Sequence, residues 1–140
     1  MIYLDTSVAI PLFVQEAASD AVSAWVKTSG KDLVAADWIL TEFASALFVK
    51  VRRGELAKKH ANLVWENFEF FCRGGLRLIL GTRSAFTLGA ELIRKAEGAL
   101  RAGDALHLAI ALEIGATSVA TADDQFHDSA TAHGLAVTRF

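Results

Sequence analysis

Disulfide bonds have little basis in this sequence, because its 140 residues include a single cysteine, Cys72. One cysteine cannot form an intrachain disulfide, so the cross-links typical of small secreted domains are excluded. We therefore expect a reduced, cytoplasmic environment.

Proline is equally scarce: Pro11 is predicted to lie within the first turn or so of a helix, where a missing N–H is tolerated.

Long apolar runs are also missing. No uninterrupted stretch approaches the ~20 residues that a helix needs to cross a bilayer, so we expect no membrane-spanning segment. The first residues lack a basic leader and include Asp5, which is not typical of a signal peptide. The sequence therefore predicts a protein that is not associated with a membrane.

Positive charge is not in excess. Lysine and arginine number 14 against 16 aspartates and glutamates, for a formal net charge of −2. A nucleic acid would therefore have to bind through local basic patches or bound cations. The strongest basic cluster comprises residues 50–53 together with Lys58 and Lys59. It is equally typical of an RNA-binding surface and of a solvated helix end whose charges suit the helix dipole.

The composition is that of a folded chain with apolar residues to spare. Hydrophobic residues make up 53% and charged residues 21%, which argues against disorder. We expect one domain spanning residues 1–140. Trp65, Phe68 and Phe71 share one face of a predicted helix, whereas Phe70 lies off that face. The surplus aromatic residue indicates a contact with a protein partner, and we expect a homodimer.

Short apolar runs alternate along the chain with segments in which apolar residues recur every three or four positions. The runs show no polar alternation, as expected of strands buried on both faces of a parallel sheet. The predicted strands are residues 2–4, 33–36, 76–80, 117–121 and 135–138. The predicted helices are residues 17–28, 39–52, 56–73, 85–97 and 105–114, with further helices after Asp5 and Asp123. This pattern predicts an α/β fold, a three-layer α/β/α sandwich around a central parallel five-stranded sheet.

Four carboxylates occupy positions that favour a shared site. Asp5 follows the first predicted strand and Asp123 the fourth, so both lie at the sheet edge where open α/β folds bind ligands. They converge if these strands are neighbours, which sequence spacing does not establish. Asp104 opens a helix that is apolar almost all round and therefore buried. Glu42 lies within a helix and has no lysine or arginine three or four residues away.

Helix capping is the simpler interpretation of three of these acids. Asp5, Asp104 and Asp123 each precede a predicted helix, and aspartate is a favoured N-cap worth about 1 kcal/mol. Capping does not account for Glu42, which lies in mid-helix. Thr6 or its neighbour could also cap the first helix in place of Asp5. Taken together, the four acids favour a site.

Clustered carboxylates raise one another's pKa values unless a cation neutralises them. Oxygen ligands without a supporting cysteine favour Mg²⁺ or Mn²⁺ over zinc. One such ion, or two about 3.5–4 Å apart, can activate water for attack on a phosphodiester. His107 lies three residues after Asp104, but a histidine in a buried helix is more typical of a hydrogen-bonded core residue than of a metal ligand. The pattern therefore predicts metal-dependent nuclease chemistry.

The motifs that contain these acids resemble the PIN domain family. They begin at residues 3, 41, 101 and 120 and read YLDTS, TEF, RAGDALHLA and ATADDQF, in that order across nearly the whole chain. The short single-domain form is similar to VapC-type toxins of toxin–antitoxin pairs. The resemblance implies a magnesium- or manganese-dependent endoribonuclease, the toxin of a type II pair. Its implied partners are an RNA substrate and a small antitoxin that reaches the acidic pocket with an arginine or lysine.

The resemblance also implies the sheet order 3-2-1-4-5, in which strands one and four are neighbours. The residues that it implies as catalytic and metal-binding are Asp5, Glu42, Asp104 and Asp123. It implies hydroxyl contacts to metal-bound water or phosphate from Thr6 or Thr121. Arg101, three residues before Asp104, is a candidate for pairing with a site acid or contacting phosphate. The spacing to Phe126 makes Asp123 the matching acid and leaves Asp124 to begin a helix or support the site.

Other aspartate-based classes fit less well. A phosphatase of the haloacid dehalogenase type needs a second aspartate two residues after the first, where Ser7 stands. A receiver domain needs its acceptor after the third strand, where residues 80–82 are Leu-Gly-Thr. A non-catalytic binding module with the PIN fold is a further alternative, against which the complete set of four acids argues. The sequence leaves open which RNA is cut and how many ions bind.

Overall fold

The computed structural model describes residues 1–29, 32–96 and 98–140. Within them, five strands form one sheet: β1 (Ile2–Leu4), β2 (Leu33–Ala36), β3 (Arg77–Ile79), β4 (Ser118–Thr121) and β5 (Ala136–Arg139). The strand order is β3-β2-β1-β4-β5, and every neighbouring pair is parallel. The structure confirms the predicted fold class and the implied order.

Helices connect the strands. In the described part of the chain they are α1 (Thr6–Phe13), α2 (Ser19–Thr28), α3 (Trp38–Arg52), α4 (Lys58–Gly74), α5 (Arg83–Lys95), α6 (Ala102–Glu113) and α7 (Asp124–Ala132). Pro11 lies in the second turn of α1 rather than the first, which corrects the prediction. The predicted helix end at Glu97 falls outside the described residues. None of the helices in those ranges is long and apolar enough to cross a membrane.

The pleat of the sheet directs alternate residues into two helical layers. Tyr3, Val34 and Val119 pack with α5, α6 and α7, and their neighbours in each strand pack with α1 to α4. All four residues of β2 are buried, as expected for a strand covered on both faces, whereas edge strands β3 and β5 are partly exposed. The core therefore lies on both sides of the sheet.

The aromatic residues of α4 divide as their spacing predicts. Phe68 is fully buried and stacks on Phe43 of α3, with ring centroids 3.8 Å apart and planes 4° from parallel. Phe70, by contrast, is 76% exposed. The face that carries Phe68 therefore anchors α4 to the core, and Phe70 remains available to a partner.

The site is positioned by the adjacency of β1 and β4. From this central pair the chain leads to β2 and β3 on one side and to β5 on the other. Connections in opposite directions leave a crevice at the carboxyl ends of the two central strands. Asp5 follows β1 directly and Asp123 comes two residues after β4. Sequence spacing could not establish this adjacency, and the fold supplies it.

Candidate active site

A pocket of about 430 Å³ opens at the carboxyl ends of β1 and β4. The four predicted acids line it together: Asp5, Glu42, Asp104 and Asp123. They come from four elements, namely the end of β1, helix α3, the first turn of α6 and the start of α7. The structure thus brings all four into one pocket, and their catalytic and metal-binding roles stay a prediction.

Asp5 is held through one of its two carboxylate oxygens. Its Oδ2 accepts hydrogen bonds from Ser7 Oγ at 2.5 Å and Thr121 Oγ1 at 2.8 Å. Its Oδ1 accepts none from the described residues, and the residue is 5% exposed. Because the Asp5 side chain makes no bond to the α1 backbone, the capping interpretation is wrong at this position. The arrangement orients Asp5 and leaves Oδ1 available to a ligand.

Two residues distant in sequence contact Oε2 of Glu42. Thr6 Oγ1 donates to Glu42 Oε2 at 2.5 Å, and Nε2 of His107 lies 2.5 Å from the same oxygen. Burial alone would raise the pKa of Glu42, but the hydrogen bond from His107 and its charge when protonated, together with hydrogen bonds from Thr6 and the indole of Trp38, outweigh burial and lower that pKa. Glu42 therefore remains a carboxylate at neutral pH.

Asp104 lies inside the first turn of α6, because Arg101 occupies the N-cap position. The capping interpretation is therefore wrong here as well, although a negative charge in the first turn suits the helix dipole. Burial raises the pKa of Asp104, the charges of Asp123 and Asp5 raise it further, and Arg101 only partly offsets them. The pocket thus concentrates negative charge that a cation would relieve.

Asp104→Asn is expected to raise the melting temperature of the metal-free protein at neutral pH. Because folding raises the pKa of Asp104, the ionised side chain costs stability above the usual aspartate pKa of about 3.9, and an asparagine avoids that cost. The cost vanishes as the pH falls below that value, where both states are protonated. Calorimetry across this range should show the two melting curves converging at acid pH. A lower melting temperature for the variant at neutral pH would contradict the sign of the shift.

Asp123 is the N-cap of α7, so the capping interpretation is correct for this one of the three aspartates. Its Oδ1 accepts the backbone N–H groups of Gln125 and Phe126, both at 2.9 Å. Its Oδ2 accepts from Nη2 of Arg101 at 2.5 Å. The two oxygens therefore have separate tasks, one in the helix and one in the pocket.

Arg101 bridges two of the site acids. Besides its bond to Asp123, its Nε donates to Oδ2 of Asp104 at 3.0 Å. The side chain is 66% exposed, so the guanidinium covers the acids from the solvent side. Of the two predicted roles, the structure shows the pairing with acids, and the contact with phosphate stays a prediction.

The remaining sequence candidates lie in or beside the pocket. Thr6 donates to Glu42, while the hydroxyl of Thr121 donates to Asp5 and accepts the backbone N–H of Asp123 at 3.0 Å. Their contact with metal-bound water or phosphate stays a prediction. Asp124 is the exposed first residue of α7 and forms an ion pair with Arg139 of β5 outside this pocket.

Sequence reasoning missed several supporting residues. Ser7 donates to Asp5, and the indole of Trp38, one turn before Glu42, donates to that acid; a search for charged neighbours three or four residues away detects neither. His107 is fully buried, as expected of a core residue, yet it also contacts a site acid. One ligating atom each from Asp5, Glu42 and His107 lies within 4.8 Å of the others, a spacing that could hold a metal ion.

The PIN domain family model matches residues 2–131, nearly the whole chain. The chain belongs to the PIN domain family. No curated protein sequence matches this PIN domain. The fold is similar to that of several solved structures. One of them is VapC20 of Mycobacterium tuberculosis, described as a sarcin–ricin loop cleaving toxin. That structure has a TM-score of 0.74 at 19% identity and 96% coverage of both chains.

Two further solved structures share the fold of this PIN domain. FitAcB from Neisseria gonorrhoeae has a TM-score of 0.76 at 20% identity, covering 98% of this chain and 96% of that one. VapBC2 from Rickettsia felis, bound to a promoter DNA fragment, has a TM-score of 0.68 at 14% identity, with 99% and 98% coverage. At identities this low, these similarities show a common fold and nothing more, over 96–99% of this chain.

Proposed function

We propose that this PIN domain is a Mg²⁺- or Mn²⁺-dependent endoribonuclease, the toxin of a type II toxin–antitoxin pair. The observation that carries the proposal is the convergence of four carboxylates at the carboxyl ends of β1 and β4. The family and the toxin structures that share its fold agree with this chemistry. The reaction is hydrolysis of an RNA phosphodiester by activated water.

The donor atoms in the pocket fit a hard divalent cation. Asp5, Glu42, Asp104 and Asp123 would hold it, and their carboxylate oxygens are the ligands that Mg²⁺ and Mn²⁺ prefer. The raised pKa of Asp104 supports this fit, since burial and, after it, the charges of Asp123 and Asp5 disfavour the ionised side chain without a cation. When bound, such an ion lowers the pKa of a coordinated water and stabilises charge on the phosphate.

The protein contributes orientation. Ser7 and Thr121 fix Asp5, and Thr6 fixes Glu42, so these carboxylates need little reorganisation during the reaction. The guanidinium of Arg101, once displaced from the acids, can pair with a phosphate of the RNA. The pocket therefore supplies both the acids and a cationic contact for substrate.

Cleavage of RNA by the purified protein tests the proposal. Mixed transfer, ribosomal and messenger RNA should be cut in the presence of Mn²⁺ or Mg²⁺, and EDTA should stop the reaction until metal is restored. If none of these RNAs is cut with either metal, the proposal is overturned and a non-catalytic binding module becomes the better account of the fold.

We also propose a small antitoxin as protein partner and a homodimer as the assembly. Toxin–antitoxin complexes of the VapBC and FitAB kinds occur among the solved structures with this fold. Arg101 supports an antitoxin that inserts an arginine or lysine, since the pocket already accommodates a guanidinium. Phe70 and Leu80, each 76% exposed, offer apolar surface for either contact. Copurification and light scattering test the two assemblies.

Arg101→Ala is expected to tighten Mn²⁺ binding about 1.5- to 5-fold. The guanidinium competes with the ion for Asp104 and Asp123, and exposed ion pairs are worth about 0.2–1 kcal/mol, which gives that factor. Electron paramagnetic resonance of free Mn²⁺ measures the affinity. Arg94→Ala on the exposed face of α5 is the matched control, because it removes the same charge away from the pocket. Unchanged or weaker binding in the Arg101 variant would contradict competition.

A further inference from the structure

A chain of hydrogen bonds leads from the sheet to Glu42. The backbone N–H of Ala36 donates to Tyr3 Oη at 3.1 Å, and Tyr3 Oη lies 2.6 Å from Nδ1 of His107. On the other side of the imidazole, Nε2 lies 2.5 Å from Glu42 Oε2. Tyr3, Ala36 and His107 are all 0% exposed. The three buried groups therefore bond to one another rather than to bulk water.

The backbone amide determines where the protons of this chain lie. An N–H only donates, so Tyr3 Oη is the acceptor from Ala36. Burial raises the pKa of Tyr3, so the phenol keeps its own proton. Among the described residues the acceptor for that proton is Nδ1 of His107. An Nδ1 that accepts carries no proton, so the proton of the neutral imidazole lies on Nε2 and is directed to Glu42.

We propose that His107 is a positioning residue that donates its Nε2 proton to Glu42, that the Tyr3 hydroxyl on Nδ1 and the Glu42 carboxylate on Nε2 together select this tautomer, and that His107 is not a metal ligand. A metal ion would need the Nε2 lone pair, and in this tautomer Nε2 has a proton instead. This inference rests on the proposed function, because Glu42 is one of the acids of that site. The ligating atoms of Asp5, Glu42 and His107 lie close enough together to hold a metal ion. The inference assigns that role to the two acids and not to His107.

Glu42 is oriented by two hydrogen-bond donors on one of its oxygens, and the flexibility of its side chain explains why this support matters. A glutamate has several rotatable bonds, and it lies on α3 without a charged neighbour on its own helix. Thr6 and His107 together fix Oε2, which leaves Oε1 as the oxygen that can serve the pocket. Charge-assisted bonds of this kind are stronger than neutral ones and hold the geometry of the site.

Nitrogen NMR of histidine-labelled protein tests the tautomer without RNA. We expect His107 to show a protonated Nε2 and an unprotonated Nδ1, unchanged by saturating Mg²⁺. Tyr3→Phe, which keeps the ring but removes the phenol, should shift the Nδ1 resonance of His107, while the acceptor-only carboxylate of Glu42 keeps the proton on Nε2. A protonated Nδ1 with a bare Nε2 in the wild type, or an Nε2 resonance that moves to a coordinated position on adding Mg²⁺, would overturn the inference.

Two substitutions at position 107 separate positioning from packing. His107→Gln can still direct an amide N–H to Glu42, whereas His107→Leu fills the space without a donor. We expect the leucine variant to lower kcat for RNA cleavage about 10- to 100-fold with little change in KM, and the glutamine variant to recover most of that loss. Thermal melts establish that both variants fold.

The outcomes distinguish this inference from the proposed function. Equal losses in the two variants, or full activity with leucine, overturn the positioning role while leaving RNA cleavage in place. If the wild type cuts no RNA, the proposed function fails, and the NMR experiment still decides which nitrogen of His107 has the proton. A folded leucine variant that loses kcat, together with an Nε2 proton insensitive to Mg²⁺, supports the inference.

Discussion

Asp5→Asn is expected to lower the rate of RNA cleavage by about two to three orders of magnitude, the loss typical of removing one preorganised electrostatic group. The asparagine carbonyl can take the place of Oδ2 and keep the bonds from Ser7 and Thr121. Its amide then replaces Oδ1, the oxygen that accepts nothing from the described residues. The substitution therefore removes one charge and one ligand atom with little change in packing.

Cleavage of a labelled RNA under single-turnover conditions with Mn²⁺ measures this effect. Asp20→Asn is the matched control, because Asp20 is exposed on α2 and does not line the pocket. The control should cut RNA at the wild-type rate, and both variants should melt within a few degrees of the wild type. If the Asp5→Asn variant cuts RNA at the wild-type rate, Asp5 has no part in the reaction.

Gly103→Ala is expected to slow cleavage about 10- to 100-fold, like the loss of a supporting contact at a metal site. Gly103 lies in the first turn of α6, where an added Cβ would overlap Oε1 of Glu42 and lie 3.5 Å from Nε1 of Trp38. Glu42 cannot move aside freely, because Thr6 and His107 hold its other oxygen. The methyl group must therefore displace either the acid or the start of the helix.

The stability of Gly103→Ala should change little, because alanine favours a helix over glycine by about 1 kcal/mol and offsets the local strain. Gly74→Ala is the matched control, since Gly74 ends α4 and a Cβ there meets nothing within 4 Å. The control should retain full activity. Unchanged cleavage by Gly103→Ala would mean that the exact placement of Glu42 does not limit the reaction.

The fold could be predicted from the sequence because buried parallel strands leave a simple signal. The four residues of β2 are apolar without alternation, and all are buried. Strand order has no such signal, and only the family resemblance supplied it. Helix ends were less accurate: α6 begins at Ala102, three residues before the predicted start, because periodicity defines a helix face better than its cap.

The acids of the site could be predicted, and so could Arg101 as a partner of a site acid, but the partners of Glu42 could not. Glu42 was identified by the lack of a charged neighbour on its helix, a local feature. The bond between Tyr3 and His107 joins residues 104 positions apart, and it exists because β1 packs against α6. No spacing rule reports such a contact. Capping was likewise correct only at Asp123, since cap geometry depends on where each helix starts.

Anomalous scattering from crystals grown with Mn²⁺ tests most directly the claim that this pocket is a metal-dependent RNA-cleaving site. The account predicts a manganese peak bonded to carboxylate oxygens from the set Asp5, Glu42, Asp104 and Asp123, with the guanidinium of Arg101 withdrawn from Asp104 and Asp123. A protein that cuts RNA at the same Mn²⁺ concentration but shows no manganese in this pocket would contradict it.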